Sequence, residues 1–463
     1  MACVSFMSEQ QFSRSIRINR PASEVYAWHL RPGALERLMP PWEKVEIVMH
    51  EGVFNGARVV LKSKVGPFWP AWTVEHREVI EDKQFRDVQI EGPFKSWEHL
   101  HRIEADGASA CTLTDTIRYE LPGGALGNAV AGGFVRRKLE RLFAYRHDVT
   151  RADVELFFRY GTVRKLTFLI SGASGLVGSA LMPFLRSQGH EVVRLVRGRE
   201  QGADTIAWDP SKGELDATRL RGIDVVINLS GENVAGGRWT AARRRAILAS
   251  RVESTRTLVK AIETMRHRPF TFVSAAAVGI YGDRGNEVLT EESATGSGFL
   301  AEVCRAWENE TAAAEDLGLR AAALRTGVVL TPAGGALAKM LPVFRAGLGG
   351  RFGSGRQWMS WIAIDDLVGA IYHTVLDQRC SGPVNAVAPG AVTNAEFAKT
   401  LARVLKRRAM FLVPAWVLRA LLGEMGDEAL LAGAHVKPER LEGARYEFRQ
   451  AKLEDALRHV LGR

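Results

Sequence analysis

Two hydrophobic patterns divide the chain. Up to about Asp153, apolar and polar residues alternate in short runs punctuated by Gly and Pro; Phe12, Ile16 and Ile18 fall on one face of such a run, with Ser13, Ser15 and Arg17 on the other. Period-two alternation predicts half-buried strands. Further strands are expected over residues 57–64, 71–79, 84–90, 97–105 and 111–120, and a helix is expected to begin near Ser23, after the turn Asn19-Arg20-Pro21-Ala22. Val135, Leu139, Leu142, Phe143 and Val149 then recur at helical spacing, so the dense basic stretch 136–151 reads as the wet face of one long amphipathic helix.

From Arg164 onward, buried apolar runs alternate with helical patterns, which is how a parallel sheet with crossover helices is written. Strands are expected at 165–170, 191–196, 224–229, 271–275 and 320–330, with the first helix over 179–188 and Gly189 as its stop. The expected fold class is a doubly wound α/β parallel sheet preceded by an α+β domain. Its expected divisions are a first domain at 1–155, a linker at 156–163 and a second domain at 164–463.

A length of 463 residues is too much for one core, and 46% hydrophobic with 25% charged residues matches a globular chain without disorder. The opening MACVSFMSEQ lacks a secretory pattern and no run is apolar enough to span a bilayer, so a cytoplasmic protein without membrane insertion is expected. Cys3, Cys111, Cys304 and Cys380 have no paired spacing; neither a zinc site nor a disulfide framework is expected, and Cys111 and Cys304 sit in apolar patterns that suggest burial. The net charge of +10 is spread along the chain with no recognition motif, which argues against nucleic acid as a partner.

The chemistry is clearest where the first strand of the second segment ends, in Ser171-Gly172-Ala173-Ser174-Gly175-Leu176-Val177-Gly178. Between a strand and a helix, Gly172 permits the tight turn, Gly175 lets the backbone approach a pyrophosphate and Gly178 allows close helix packing. The helix then offers free N–H groups and its positive end to the phosphates. This is a Rossmann dinucleotide fingerprint, and Ala173, Ser174, Leu176 and Val177 belong to the same cradle. The next strand ends at Arg197, where NAD-specific proteins carry an acid; an Arg there can pair with the extra phosphate of NADP(H), with Arg199 as helper, or be no more than an exposed residue after a strand, and the first reading makes NADP(H) expected in preference to NAD(H). Leu229, Ser230, Gly231, Ser274, Ala275, Thr326 and Gly327 follow later strands and are expected to wall the nicotinamide half, although Gly231 and Gly327 could serve only as turn residues.

The segment from about Leu166 to the end resembles an atypical branch of the extended short-chain dehydrogenase/reductase superfamily, the epimerase family proteins of the NAD-dependent epimerase/dehydratase type. The resemblance rests on SGASGLVG at Ser171, WDP at Trp208, NLSGENVAGGRWT at Asn228, SRVESTRTL at Ser250, AVGIYGD at Ala277, AWE at Ala306, RTGVVL at Arg325 and GSGRQWMSWIAIDD at Gly353. The first 140 or so residues resemble the helix-grip fold of the START/polyketide-cyclase (SRPBCC) superfamily, carried by Ile18-Asn19-Arg20-Pro21 and Leu38-Met39-Pro40-Pro41-Trp42. That likeness implies a hydrophobic ligand. Trp28, Trp42, Phe68, Trp69, Trp72, Phe94 and Trp97 either line its pocket or fill an ordinary core; His76, His99 and His101 lie singly on strands and are assigned no role.

The resemblance implies an oxidoreductase or epimerase acting on a small molecule, but the proton-transfer pair of ordinary members, a Tyr with Lys four residues on, is absent. The expected Ser is Ala276, and the family's usual His is Ala363. Ser274 and Tyr281 are the candidate catalytic residues, with Glu232 and Glu308 behind them. Alternatively, the chain is a noncatalytic NADP(H) sensor. Arg356, Gln357 and Trp361 are the substrate-side candidates, or else part of a folded loop with an Arg on Asp365 or Asp366. The residues leave the oligomeric state open.

Overall fold

The computed structural model describes residues 9–64, 66–160, 164–200 and 202–463. Cys3, the opening segment and linker positions 161–163 lie outside the described residues. The chain forms two compact units, one from the chain up to residue 162 and the other mostly from the chain after it.

In the first unit seven antiparallel strands form one sheet in the order β1-β7-β6-β5-β4-β3-β2. They are β1 (Glu9–Ile18), β2 (Val45–His50), β3 (Arg58–Ser63), β4 (Ala71–Ile80), β5 (Gln84–Glu91), β6 (Ser96–Ala105) and β7 (Cys111–Glu120). Helix α1 (Ala22–Leu30) follows β1, and the long helix α2 (Gly133–Arg159) closes the unit. Helix α2 runs through residues 156–159, which the sequence reading puts in the linker. Leu139 and Phe143 of α2 pack with Phe12, Trp97 and Ile117, and Val154 packs with Ile18 and Cys111, so one face of the helix covers the apolar face of the sheet. This is the helix-grip arrangement.

The second unit is Rossmann-like. Its main sheet runs β11-β10-β9-β8-β12-β13-β14-β15, where β8 is Thr167–Ser171, β9 Glu191–Val196, β10 Thr205–Asp209, β11 Glu214–Leu215, β12 Val225–Asn228, β13 Thr271–Ala277, β14 Arg320–Thr326 and β15 Gly382–Ala386. All neighbours are parallel except β10 and β11. Strand order reverses between β8 and β12, and an open α/β sheet holds its ligand beside the carboxyl ends of the strands at such a point.

The expected strand 320–330 is two strands. Residues Val328–Leu330 leave the main sheet and pair with Trp361–Ala363. A Cβ on Gly327 would lie 2.5 Å from the Ser360 carbonyl, so only glycine lets the chain change sheets there. No helix among the described residues is long and apolar enough to cross a membrane. Cys111, Cys304 and Cys380 are unpaired and buried.

Candidate functional site

The turn after β8 is shaped by backbone contact. Gly172 has φ +69°, and a Cβ there would sit 2.7 Å from the carbonyl of Leu229, in the loop after β12. A Cβ on Gly178 would lie 2.5 Å from the Gly172 carbonyl and 2.7 Å from Ala173 Cα. The Gly175 N–H closes the turn on Gly172 O at 3.0 Å, and helix α3 (Leu176–Ser187) starts directly afterwards. Ser174 and Gly175 are exposed. The first N–H groups of a helix lack carbonyl partners within it, so the turn presents donors to open space. A cradle that any side chain would fill, at the positive end of a helix, fits a pyrophosphate.

Hydrogen bonds lock the surrounding strand ends. The Ser171 hydroxyl donates to Asn228 Oδ1 at 2.6 Å, the Ser230 N–H donates to the same oxygen at 3.2 Å, and Asn228 Nδ2 donates to Thr255 Oγ1 at 2.9 Å and towards Ser274 Oγ at 3.4 Å. Helix α4 (Ala241–Glu263) clamps the loop after β12: Ser250 Oγ accepts from the Glu232 N–H at 2.9 Å, and Arg251 donates to the Glu232 carbonyl at 3.1 Å. The two motifs NLSGEN and SRVEST therefore form one device, a link that spacing alone did not reveal. Gly231 sits against the Arg251 guanidinium, and Gly334 abuts Leu176, adding the loop after Val328–Leu330 to the rim. Arg197 and Arg199 are both exposed just beyond β9, the strand next to β8.

Neither candidate proton donor faces open space. Ser274 is fully buried in the Asn228 network, and Tyr281 is fully buried. The Tyr281 hydroxyl lies 2.7 Å from Asn385 Oδ1 and 2.9 Å from the Thr290 carbonyl, and accepts from Arg325 Nη1 at 2.9 Å. Arg325 in turn forms a two-pronged pair with Glu308, both contacts at 2.8 Å. Burial raises the Tyr281 pKa above its ordinary value, outweighing the pull of Arg325. A catalytic phenol needs the opposite shift. Burial likewise pushes the Cys304 thiol up to about 11, which leaves it inert at neutral pH. Glu232 Oε1 is held by Arg243 at 3.3 Å.

The substrate-side expectations separate. Trp361 is fully buried in the carboxyl-terminal core, its Nε1 donating to Gly390 O at 2.7 Å, so it cannot touch a ligand. Gln357 spends its amide on the carbonyls of Phe352 and Leu430, at 3.1 and 3.0 Å, and ties two loops together. Arg356 alone is exposed. Asp365 and Asp366 serve the carboxyl-terminal segment: Asp365 pairs with His459 at 2.9 Å, and Asp366 accepts the N–H groups of Arg449 and Gln450 at 2.7 and 2.9 Å.

The first unit encloses a cavity of about 330 Å³ between its sheet and α2. Trp72, Phe94 and Trp97 line it. Trp28 is instead a core residue, Trp42 packs edge-on against Tyr145, and Phe68 and Trp69 are exposed, so these four do not form its wall. His76, His99 and His101 do line it and are buried, contrary to their reading as isolated strand residues.

Comparison with known proteins agrees with this layout. The family model for the NAD dependent epimerase/dehydratase family matches residues 168–386, a domain of unknown function matches 413–460, and polyketide cyclase / dehydrase and lipid transport matches 18–144. An epimerase family protein of Mycobacterium bovis is 41% identical over 294 residues, 64% of this chain and 97% of the relative. The human epimerase family protein SDR39U1 is 36% identical over 296 residues, 63% of this chain and 99% of the relative. A Corynebacterium glutamicum structure described as a nucleoside-diphosphate sugar epimerase superposes with a TM-score of 0.79 at 34% identity, covering 97% of this chain and 90% of that one. The human SDR39U1 structure, determined with NADPH, gives a TM-score of 0.59 at 35% identity, covering 64% of this chain and 99% of that one. The glycine turn at a strand-order reversal, the paired NLSGEN and SRVEST motifs and these near-complete matches lead to one conclusion: the chain belongs to the epimerase family proteins of the NAD dependent epimerase/dehydratase type, with a polyketide-cyclase-like domain ahead of the epimerase domain.

Proposed function

We propose that the chain binds NADP(H) across the carboxyl ends of β8, β9 and β12 and acts as an oxidoreductase or epimerase-like protein on a small molecule. The observation that carries this reading is the cradle at Gly172, Gly175 and Gly178, where each added Cβ would meet backbone and where helix α3 begins. In this reading the pyrophosphate is taken by the free amides of the turn and of the first residues of α3, the Gly175 N–H being spent on Gly172 O. Arg197, helped by Arg199, pairs with the additional ribose phosphate, while Leu229, Ser230, Gly231, Ala275, Thr326 and Gly327 bound the nicotinamide half. The nicotinamide supplies or takes up a hydride. Arg356, exposed beside the loop that Gln357 fixes, meets the substrate. The NADPH held by the human relative supports the cofactor assignment.

A charge-assisted contact contributes roughly 1.5 to 3 kcal/mol, a factor of about 10 to 150 in affinity. Replacing Arg197 by Asp is therefore expected to weaken NADPH by about that factor and leave NADH little changed, as measured by fluorescence titration. An unchanged NADPH-to-NADH ratio removes the assignment.

The second reading is a noncatalytic NADP(H) sensor, favoured by the burial of Ser274 and Tyr281. Purified protein loaded with NADPH and offered a broad panel of carbonyl compounds separates the two. Oxidation of the cofactor supports the enzyme, and an unaltered cofactor across the panel supports the sensor. If turnover is found, Tyr281→Phe is expected to cost roughly 1 to 2 kcal/mol of stability through its lost hydrogen bonds and to leave the rate constant nearly intact. A 100-fold loss of rate in a fully folded variant, about 2.7 kcal/mol of barrier, makes Tyr281 catalytic after all. The first domain, which α2 continues past residue 155 to Arg159, acts in this scheme as a separate binder of a hydrophobic ligand ahead of the domain at 164–463.

A further inference from the structure

We propose that the cavity of the amino-terminal unit is a metal site, in which His99, His101 and Asp87 bind a divalent first-row transition ion, zinc or iron(II), with His76 as an additional ligand. Strand register puts them together. His76 lies opposite Asp87 across β4 and β5, Asp87 opposite His99 across β5 and β6, and His101 opposite Asp115 across β6 and β7. All face α2, which adds His147.

The orientation of the rings is the main argument. The Asp115 carboxylate holds the outer nitrogens of both imidazoles, His99 Nε2 and His101 Nδ1, each at 2.8 Å, while His147 Nε2 fixes its other oxygen at 2.6 Å. The opposite nitrogens, His99 Nδ1 and His101 Nε2, are thereby turned towards one point beside Asp87 Oδ2, at 3.7 and 3.3 Å from it. One ligand atom from each of Asp87, His99 and His101 lies within 4.8 Å of the others. Donors bound at about 2.0 to 2.2 Å around one ion stand roughly 3 to 3.6 Å apart, so closing on an ion needs only small side-chain motion. An imidazole backed by a carboxylate is also how metal-binding histidines are held and made more basic.

A second observation points to the same place. His76 is 4% exposed; its Nδ1 meets Asp87 Oδ1 at 2.7 Å, while its Nε2 has no hydrogen-bond partner among the described residues. A buried nitrogen such as His76 Nε2 without a partner carries a desolvation cost, which coordination of a cation offsets. Two or three imidazoles with one carboxylate suit zinc and iron(II), whereas calcium and magnesium prefer all-oxygen shells. On its other side the cluster opens onto the apolar wall formed by Trp72, Trp97 and Phe143. A ligand with a hydrophobic body and an oxygen-donor head fits there, the head completing the coordination of the ion.

The test uses the full chain without an affinity tag. Elemental analysis of protein prepared with zinc alone, or with iron(II) alone under nitrogen, is expected to give about one ion per chain, and cobalt(II) titration is expected to give visible ligand-field bands. His101→Gln and Asp87→Asn are expected to lose the ion. Asp115→Asn, which acts by positioning the two rings, is expected to lower affinity about 10- to 100-fold. Circular dichroism and urea unfolding report whether each variant is folded. Stoichiometry far below one for every ion, or an unchanged stoichiometry in folded His101→Gln, overturns the proposal. Because the cobalt bands are read on the unsubstituted protein, misfolding of a variant leaves the test intact.

Discussion

Gly178→Ala is expected to abolish NADPH binding, raising Kd by at least about 100-fold, equivalent to some 2.7 kcal/mol. The added methyl group would stand 2.5 Å from the Gly172 carbonyl and 2.7 Å from Ala173 Cα. Both neighbours are backbone, so neither can rotate away, and helix α3 must move off the turn that forms the cradle. Overpacking of this kind also costs roughly 1 to 3 kcal/mol of stability. Gly213→Ala is the contrasting control: it has a positive φ of +70°, which Gly178 lacks, but nothing lies within 4 Å of its Cβ position. Its cost should be limited to backbone strain of about 1 to 2 kcal/mol, with NADPH binding unchanged. Isothermal titration calorimetry on both variants decides the matter, and wild-type affinity in Gly178→Ala would remove the cradle as the nucleotide site.

Glu308→Ala is expected to destabilise the epimerase domain by about 3 to 5 kcal/mol, the usual cost of leaving a buried charge without its partner. Arg325 and Glu308 side chains are only 6% and 16% exposed and meet through two contacts. Loss of the carboxylate strands a guanidinium that also supports Tyr281 and the Glu291 carbonyl. The double replacement Arg325→Met with Glu308→Leu should recover part of the loss, because it removes both desolvation costs together. Urea unfolding followed by circular dichroism measures each variant. Equal midpoints for Glu308→Ala and the parent would mean that the pair does not hold the domain.

Much of this architecture is legible from residue order. Strand β9 falls at the predicted residues 191–196, and 71–79, 84–90, 97–105 and 111–120 each match a strand to within about two residues. These runs are legible because period and turn residues are local properties. Strand β2 was missed, since Val45–His50 sits at the sheet edge with only weak burial contrast along it. The histidines were misread for a different reason. His99 and His101 lie between Trp97 and Ile103 at period two, so their inward direction was available, as was that of His76 beside Val74 and Asp115 between Leu113 and Ile117. A polar residue at an inward position marks a built site as readily as an exposed face.

The sequence by itself determined the glycine turn, the strand and helix periods and the charge at Arg197, because each depends on a residue and its near neighbours. Tertiary structure alone decided that Trp361 is core, that Tyr281 and Ser274 are sealed in hydrogen-bond networks, and that Asp87, Asp115 and four histidines from four strands and a helix converge. Those outcomes depend on register and on which surfaces meet. The chain can show that a side chain points inward, but only the packed partner decides whether it meets a solvent-free core, another charge or the wall of a cavity.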